Sequence, residues 1–146
     1  MTLTLTKTQV TPLPGALIRT VKLGEAASGG AGMAINSSSN MVKADGDSPG
    51  LRRVFGVLIT DNQGSYNTSG DYASGDSVSM CFFGPLAGFS GMTPGAPVYV
   101  DKTTAGLLTQ TAPSGSNAVP CEVGYALTDD ILFVFPKVPD GGYNYT

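Results

Sequence analysis

Three pairs of carboxylates have the residue type and spacing to do chemistry: Asp45 with Asp47, Asp71 with Asp76, and Asp129 with Asp130. Two carboxyl groups flanking a glycosidic bond can act as acid and base, or as acid and nucleophile. Each pair, however, lies beside Gly, Ser or Thr at an expected strand end. Asp in that setting bonds its own backbone and closes a turn. Turn capping is therefore the reading given to all three. Asp45-Gly46-Asp47 has a faint likeness to a calcium loop, but the other ligand positions of an EF-hand are missing. The chain contains no histidine. That removes His-based triads, the commonest general base and most transition-metal sites. Serine is abundant, and nothing specific supports a lysine-assisted serine nucleophile. Gly29-Gly30-Ala31-Gly32 is not followed by the Lys-Ser or Lys-Thr of a phosphate loop. No catalytic, cofactor-binding or metal-ligating residue is assigned, and the chain is expected not to be an enzyme.

Two cysteines remain, Cys81 and Cys121. Their spacing fits no zinc or redox motif. Two reduced, partly buried thiols are expected, and a disulfide stays open if their strands pair. Asn67-Thr68-Ser69 and Asn144-Tyr145-Thr146 match the glycosylation triplet. The residues after Met1 lack the order of a signal peptide, so the protein is expected to be made without export and the triplets to be coincidental.

The elements that would hold these residues are all strand-like. The chain has 146 residues, room for one domain, and is 41% apolar but only 13% charged. An ordinary soluble domain is about 25% charged. Twenty glycines and ten prolines supply turns. Low charge beside many Thr and Ser suggests surface buried in an assembly, or surface that does not rely on charge for solubility. Net charge is −3, and of the eight Lys and Arg only Arg52 and Arg53 are adjacent. No basic stripe exists for phosphates, which excludes a nucleic-acid partner. No apolar run approaches the roughly 18 residues of a spanning helix, so no membrane partner is expected.

A short phrase occurs twice. Phe55-Gly56-Val57-Leu58-Ile59-Thr60-Asp61 returns as Val123-Gly124-Tyr125-Ala126-Leu127-Thr128-Asp129, 68 positions later. Self-similarity at that spacing suggests one β unit used twice. Strands are expected over 16–23, 33–36, 41–44, 52–59, 78–83, 96–101, 107–112, 121–128 and 131–135. Val78, Met80 and Phe82 alternate cleanly with polar residues, and Phe83 breaks the pattern, so the far end of that strand is expected to be covered on both faces. Ile131 to Phe135 is apolar on both faces and reads as fully buried. Residues 24–32 read as a flexible loop, 84–95 as a connection between halves, and 61–76 as a long exposed loop carrying Tyr66, Asn67, Asp71 and Tyr72. No segment shows a helical period. The expected fold is all-β: a compact β-barrel or sandwich of about nine or ten short strands. Its domain would span 15–136, from two similar halves of about 33–84 and 96–136.

Residues 1–14 read as an extended N-terminal arm, with Leu3 and Leu5 alternating with threonines. It could add to the edge of a neighbour's sheet, or be an ordinary edge strand or frayed end. The tail 137–146 carries Tyr143 and Tyr145, a residue type that packs on partners.

The run from Met41 to Phe135 resembles the small β-barrel decoration, or cement, proteins of tailed bacteriophage capsids. The resemblance rests on Met41-Val42-Lys43-Ala44, Val54-Phe55-Gly56-Val57 and Gly75-Asp76-Ser77-Val78 through Gly84. In the second half it rests on Pro94-Gly95-Ala96-Pro97-Val98-Tyr99-Val100-Asp101, Gly106-Leu107-Leu108-Thr109 and Val123-Gly124-Tyr125-Ala126-Leu127. It covers about two-thirds of the chain. It implies a virion protein on the outer surface of the capsid, made in the host cytoplasm, bound to the major capsid protein as a homotrimer. Leu3, Leu5, Val10, Tyr143 and Tyr145 are the expected capsid or subunit contacts. Deleting residues 1–14 is expected to abolish capsid binding and leave the barrel folded. A head-fibre base or tail component with the same barrel is an alternative. A carbohydrate-binding barrel is another, with Tyr66, Tyr72 and Phe89 stacking on sugar rings and Asp71 and Asn67 bonding hydroxyls. An enzyme with an interfacial carboxylate site is the last.

Overall fold

A computed structural model of the chain describes residues 3–45, 51, 53–60, 69–114 and 120–137. Among them all regular structure is β, in fourteen strands. The first half contains β1 (Thr4–Leu5), β2 (Thr11–Pro12), β3 (Leu17–Lys22), β4 (Ala27–Ser28), β5 (Gly32–Ile35), β6 (Met41–Lys43), β7 (Gly56–Leu58), β8 (Asp71–Tyr72) and β9 (Ser77–Ala87). The second contains β10 (Phe89–Ser90), β11 (Pro97–Val100), β12 (Leu108–Thr109), β13 (Glu122–Ala126) and β14 (Leu132–Val134). The count exceeds the nine or ten expected because several strands are two-residue pairings with no period to read.

β9 organises the molecule. Its residues Met80 and Cys81 pair with Arg19 and Ile18 of β3 on one edge and with Leu58 and Val57 of β7 on the other. Beyond β7 come β5 and then β6. The far end of β9, Gly84 to Leu86, pairs with β14, which continues to β13, β11 and β12. β5, β6, β7 and β9 thus lie side by side as β6-β5-β7-β9, and β11, β12, β13 and β14 as β12-β11-β13-β14. Register corresponds as well. Val57 pairs with Gly32 and Cys81, and Tyr125, at the same place in the repeated phrase, pairs with Pro97 and Phe133.

The glycine of each phrase has a packing reason. A Cβ on Gly56 would collide with the Cys81 carbonyl oxygen, and one on Gly124 with that of Phe133. Neighbouring backbone comes so close that only hydrogen fits. A local reason also closes the β5–β6 hairpin. The Asn36 side-chain oxygen accepts from the backbone N–H of Ser38 at 2.9 Å and Asn40 at 3.0 Å, and Ser39 takes a left-handed φ of 65°.

Two cores result. Val57 and Cys81 face a main core shared with Val98, Val100, Val123, Leu132 and Val134 of the second half. The alternate residues Met33, Leu58, Val78 and Met80 face a second core closed by Leu23, Ala27 and Met41. The β9–β7–β5–β6 part of the sheet therefore buries both faces, while β3 at its edge stays largely exposed. The β14–β13–β11 sheet buries one.

Several expectations are corrected by this packing. The arm lies on the chain's own body: β1 pairs with β10 and β2 with β9. Val10 is 0% exposed in the main core, and its carbonyl accepts the Thr60 N–H at 2.8 Å. Val10 is thus not an outward contact, and the arm contributes to the main core. Residues 24–32 are not loose, since β4 pairs with β8 and Cβ atoms on Gly29 and Gly30 would strike Thr60 and Leu5. Of the expected loop 61–76, residues 61–68 lie outside the described residues, while Asp71 and Tyr72 belong to a strand pair. Gly84 to Ala87 extend β9 rather than leaving it. Phe83 is 38% exposed and Phe135 48%, so neither that end of β9 nor the last strand is covered on both faces.

Candidate functional site

Among the described residues the carboxylates do not gather into one site. Asp76 caps a turn by accepting the Ala73 N–H at 2.8 Å. Asp130 accepts from the Thr128 hydroxyl at 2.6 Å. Asp71 does different work. It accepts from Lys7 Nζ at 2.8 Å and from Ser28 Oγ at 2.6 Å, fastening the arm and β4 to β8. The Lys7 ammonium, helped by the Ser28 hydroxyl, holds its carboxyl below the ordinary carboxylate range. Asp101 is also low. Burial pushes it up, but hydrogen bonds from Thr103 and Thr104 outweigh that. Asp47 lies outside the described residues. Among the described residues no group of three or more acidic, Cys or His side chains could hold a metal ion.

One spacing escapes the reading of carboxylates. Gly46-Asp47-Ser48-Pro49-Gly50 has the Gly-Xaa-Ser-Xaa-Gly form of a nucleophile elbow. The chain has no imidazole to serve it as base, and the segment lies outside the described residues. The thiols of Cys81 and Cys121 are buried and unbonded to each other. Burial pushes the Cys81 thiol up, which makes it a poor nucleophile.

The described members of the expected sugar platform do not form an open stacking surface. Phe89 is buried in the main core. Tyr72 packs against the second core. Asp71 is committed to Lys7 and Ser28. Tyr66 and Asn67 lie outside the described residues, as do Tyr143 and Tyr145 of the tail. Of the expected contacts, Leu3 and Leu5 are partly buried against the main core.

What the fold does assemble is an aromatic face. In-register pairing aligns Pro97, Tyr125, Phe133 and Pro85 across four adjacent strands. Directly opposed residues share a face, and this row stands on the face away from the main core. Tyr125 stacks on Phe133 with centroids 5.4 Å apart. Phe83 meets Phe133 and Phe135 edge-on at 5.2 and 5.6 Å. Leu17, paired with Phe83 in β3, is 51% exposed and extends the surface. These rings brace one another yet stay open to water, and no charge interrupts the row. The sequence carried a signal for them in the doubly apolar Ile131 to Phe135, where alternation reports two apolar faces without saying what covers each.

A second feature lies on the opposite side of β9. A groove of about 620 Å³ runs between β3 and the β5–β6 hairpin, lined by Arg19, Lys22 and Arg53 over Phe55, Met80 and Phe82. Arg53 sits 5.2 Å above the Phe55 ring.

The sequence matches no known family profile and no curated protein.

Proposed function

We propose that the protein is a structural decoration protein of a bacteriophage capsid, binding the outer surface of the major capsid protein as a homotrimer. The observation that carries this reading is the braced, exposed aromatic face. Contiguous apolar surface of this kind marks contacts with other proteins, and aromatic anchors dominate the energetics of such contacts. The order of Gly- and Val-bearing phrases from Met41 to Phe135 supports it from the sequence side. A duplicated strand unit with two packed cores suits a part whose work is rigidity. Each bridging contact stabilises the closed shell by mass action, because it forms only on the assembled particle.

In this reading the assembly contacts centre on Tyr125, Phe133, Phe135 and Phe83 instead of the arm. The test mixes purified protein with undecorated capsids, sediments them, and measures the free protein's mass by light scattering. Co-sedimentation that saturates at a fixed ratio from a free trimer is expected. The double variant Tyr125→Ser, Phe135→Ser should still fold and melt cooperatively, and lose the trimer, capsid binding, or both. A free monomer that stays in the supernatant overturns the reading.

A further inference from the structure

The sheet of β3, β9, β7, β5 and β6 curls until its first strand, continued, meets its last. Past Lys22 the chain of β3 runs on beside β6. Leu23 and Met41 form a parallel bridge, and the Gly24 N–H donates to the Met41 carbonyl at 2.8 Å. The Lys43 N–H donates to the Glu25 carboxylate at 3.1 Å. The closed end is filled by the second core, with Leu23, Met33 and Leu58 buried. Residues 19–22 of β3 have no such neighbour, because β6 begins only at Met41. There the curl opens as the groove of about 620 Å³. The groove is therefore a mouth with a plugged bottom. A chain cannot run through it, but a small molecule can enter.

The floor of this mouth is Phe55, Met80 and Phe82, and the two rings are only partly buried against the second core. Two arginines stand over it from opposite sides of β9. Arg19 is opposite Met80 in register, so it lies on the face that carries the second core. Arg53 precedes β7, on the other edge of β9, and sits 5.2 Å above the Phe55 ring. Neither has a carboxylate within ion-pair distance among the described residues, whereas Lys7, Lys43 and Lys137 each have one. The chain as a whole carries net charge −3, so two unpaired arginines at one mouth run against its average. Charges on an edge strand can simply repel other strands. That accounts for Arg19 alone, since Arg53 precedes an interior strand of the sheet and guards no edge.

We propose that this mouth is a binding site for a small aromatic carboxylate. Its ring would lie against Phe55, Phe82 and the Met80 thioether, and its carboxylate between Arg19 and Arg53. Ligand sites are commonly clefts of about 300–1,000 Å³, apolar and aromatic in lining with a few convergent polar groups, and barrel mouths are a frequent place for them. Aromatic rings and thioether sulfur both favour an aromatic body over an alkyl one. The planar guanidinium fork matches a carboxylate. This site is separate from the aromatic face and does not depend on the capsid reading.

The probe is naphthoate, titrated into the full chain with isotope-labelled methionine methyl groups and followed by NMR. Met41 and Met80 line the mouth, while Met92 is buried in the main core and serves as the reference. Saturable one-to-one shifts of the Met41 and Met80 signals are expected, with Met92 unmoved. The double variant Arg19→Gln, Arg53→Gln replaces exposed side chains. It should keep the Met92 signal and weaken binding by about tenfold or more. Naphthamide, with the same rings and no charge, should bind as weakly, and octanoate should also bind less well than naphthoate. The variant Tyr125→Ser should bind naphthoate as the wild type does. No saturable shift at millimolar naphthoate overturns the proposal, and so does naphthamide binding as tightly as naphthoate. Octanoate binding as tightly would overturn it in favour of an alkyl acid. Binding lost in Tyr125→Ser would overturn it by moving the probe to the aromatic face.

Discussion

Two residues of the repeated phrase illustrate how much a single hydrogen atom can decide. Gly56 and Gly124 are not needed for an unusual backbone angle. They are needed because a neighbouring carbonyl occupies the place where a Cβ would stand. Gly124→Ala should cost about 1–3 kcal/mol or more as an overpacking change. Gly75→Ala, where φ is +90° but the space is open, should cost only the left-handed strain of about 1–2 kcal/mol. Chemical denaturation of the two variants checks the order. Asp71 makes a prediction in pH. Its folded-state carboxyl is held below the ordinary carboxylate range, chiefly by Lys7. A depressed pKa stabilises the fold above the unfolded value, and that contribution is lost as pH falls through the folded value. The tie between arm, β4 and β8 should therefore persist through neutral and mildly acid solution and release only in acid stronger than the ordinary carboxylate range. An NMR titration of the Asp71 carboxyl carbon would show this, and Lys7→Met should move its midpoint upward. The turn capped by Asp76 was legible from residue type alone. Asp71 was not, because its partners Lys7 and Ser28 are 64 and 43 positions away.

At the scale of elements, the arm is the clearest case. Alternating leucine and threonine over Leu3 to Thr6 reads as a strand, and a strand forms. What the pattern leaves open is whose sheet it joins. Val10, buried in the main core, and its carbonyl bond to Thr60 join it to its own chain. Val10→Ala should cost about 1–3 kcal/mol as a core truncation. A chain lacking residues 1–14 should unfold at markedly lower urea, with an altered slope if the main core opens. Unchanged unfolding would mean that the arm is dispensable after all. β9 shows the converse. Its first half was readable as alternation from Val78 to Phe82. Its continuation through Gly84 and Pro85 was not, because both residues normally interrupt a strand. Here Pro85 keeps its carbonyl in use, accepting the Leu13 N–H at 3.0 Å, and Gly84 leaves room for Ala16.

At the scale of the whole molecule, the two faces of the second sheet have different fates. Leu132 and Val134 enter the core, while Phe133 and Phe135 remain on the outside with Tyr125 and Phe83. Replacing Tyr125 and Phe135 by serine removes two ring contacts of about 0.5–1.5 kcal/mol each but no core residue, so the protein should still fold and melt cooperatively at a somewhat lower temperature. Any loss of trimer or capsid binding in the same variant would then report an interface and not a folding defect. Sedimentation and light scattering on one preparation separate the two. If the variant assembles as the wild type does, the aromatic face is not the contact.

The sequence by itself determined the all-β class and the approximate positions of most of the longer strands. Those follow from period-2 alternation, β-branched and aromatic content, and turn chemistry, all of which act over a few residues. The doubled phrase also marked two strands, β7 and β13, that occupy the same place in their sheets. Only the tertiary structure decided which apolar face is covered, where the arm lies and which charges find partners. Each of those depends on contacts between segments tens of residues apart, and alternation records that a face is apolar without recording what meets it. The aromatic face and the groove between β3 and the β5–β6 hairpin both belong to that second kind of fact.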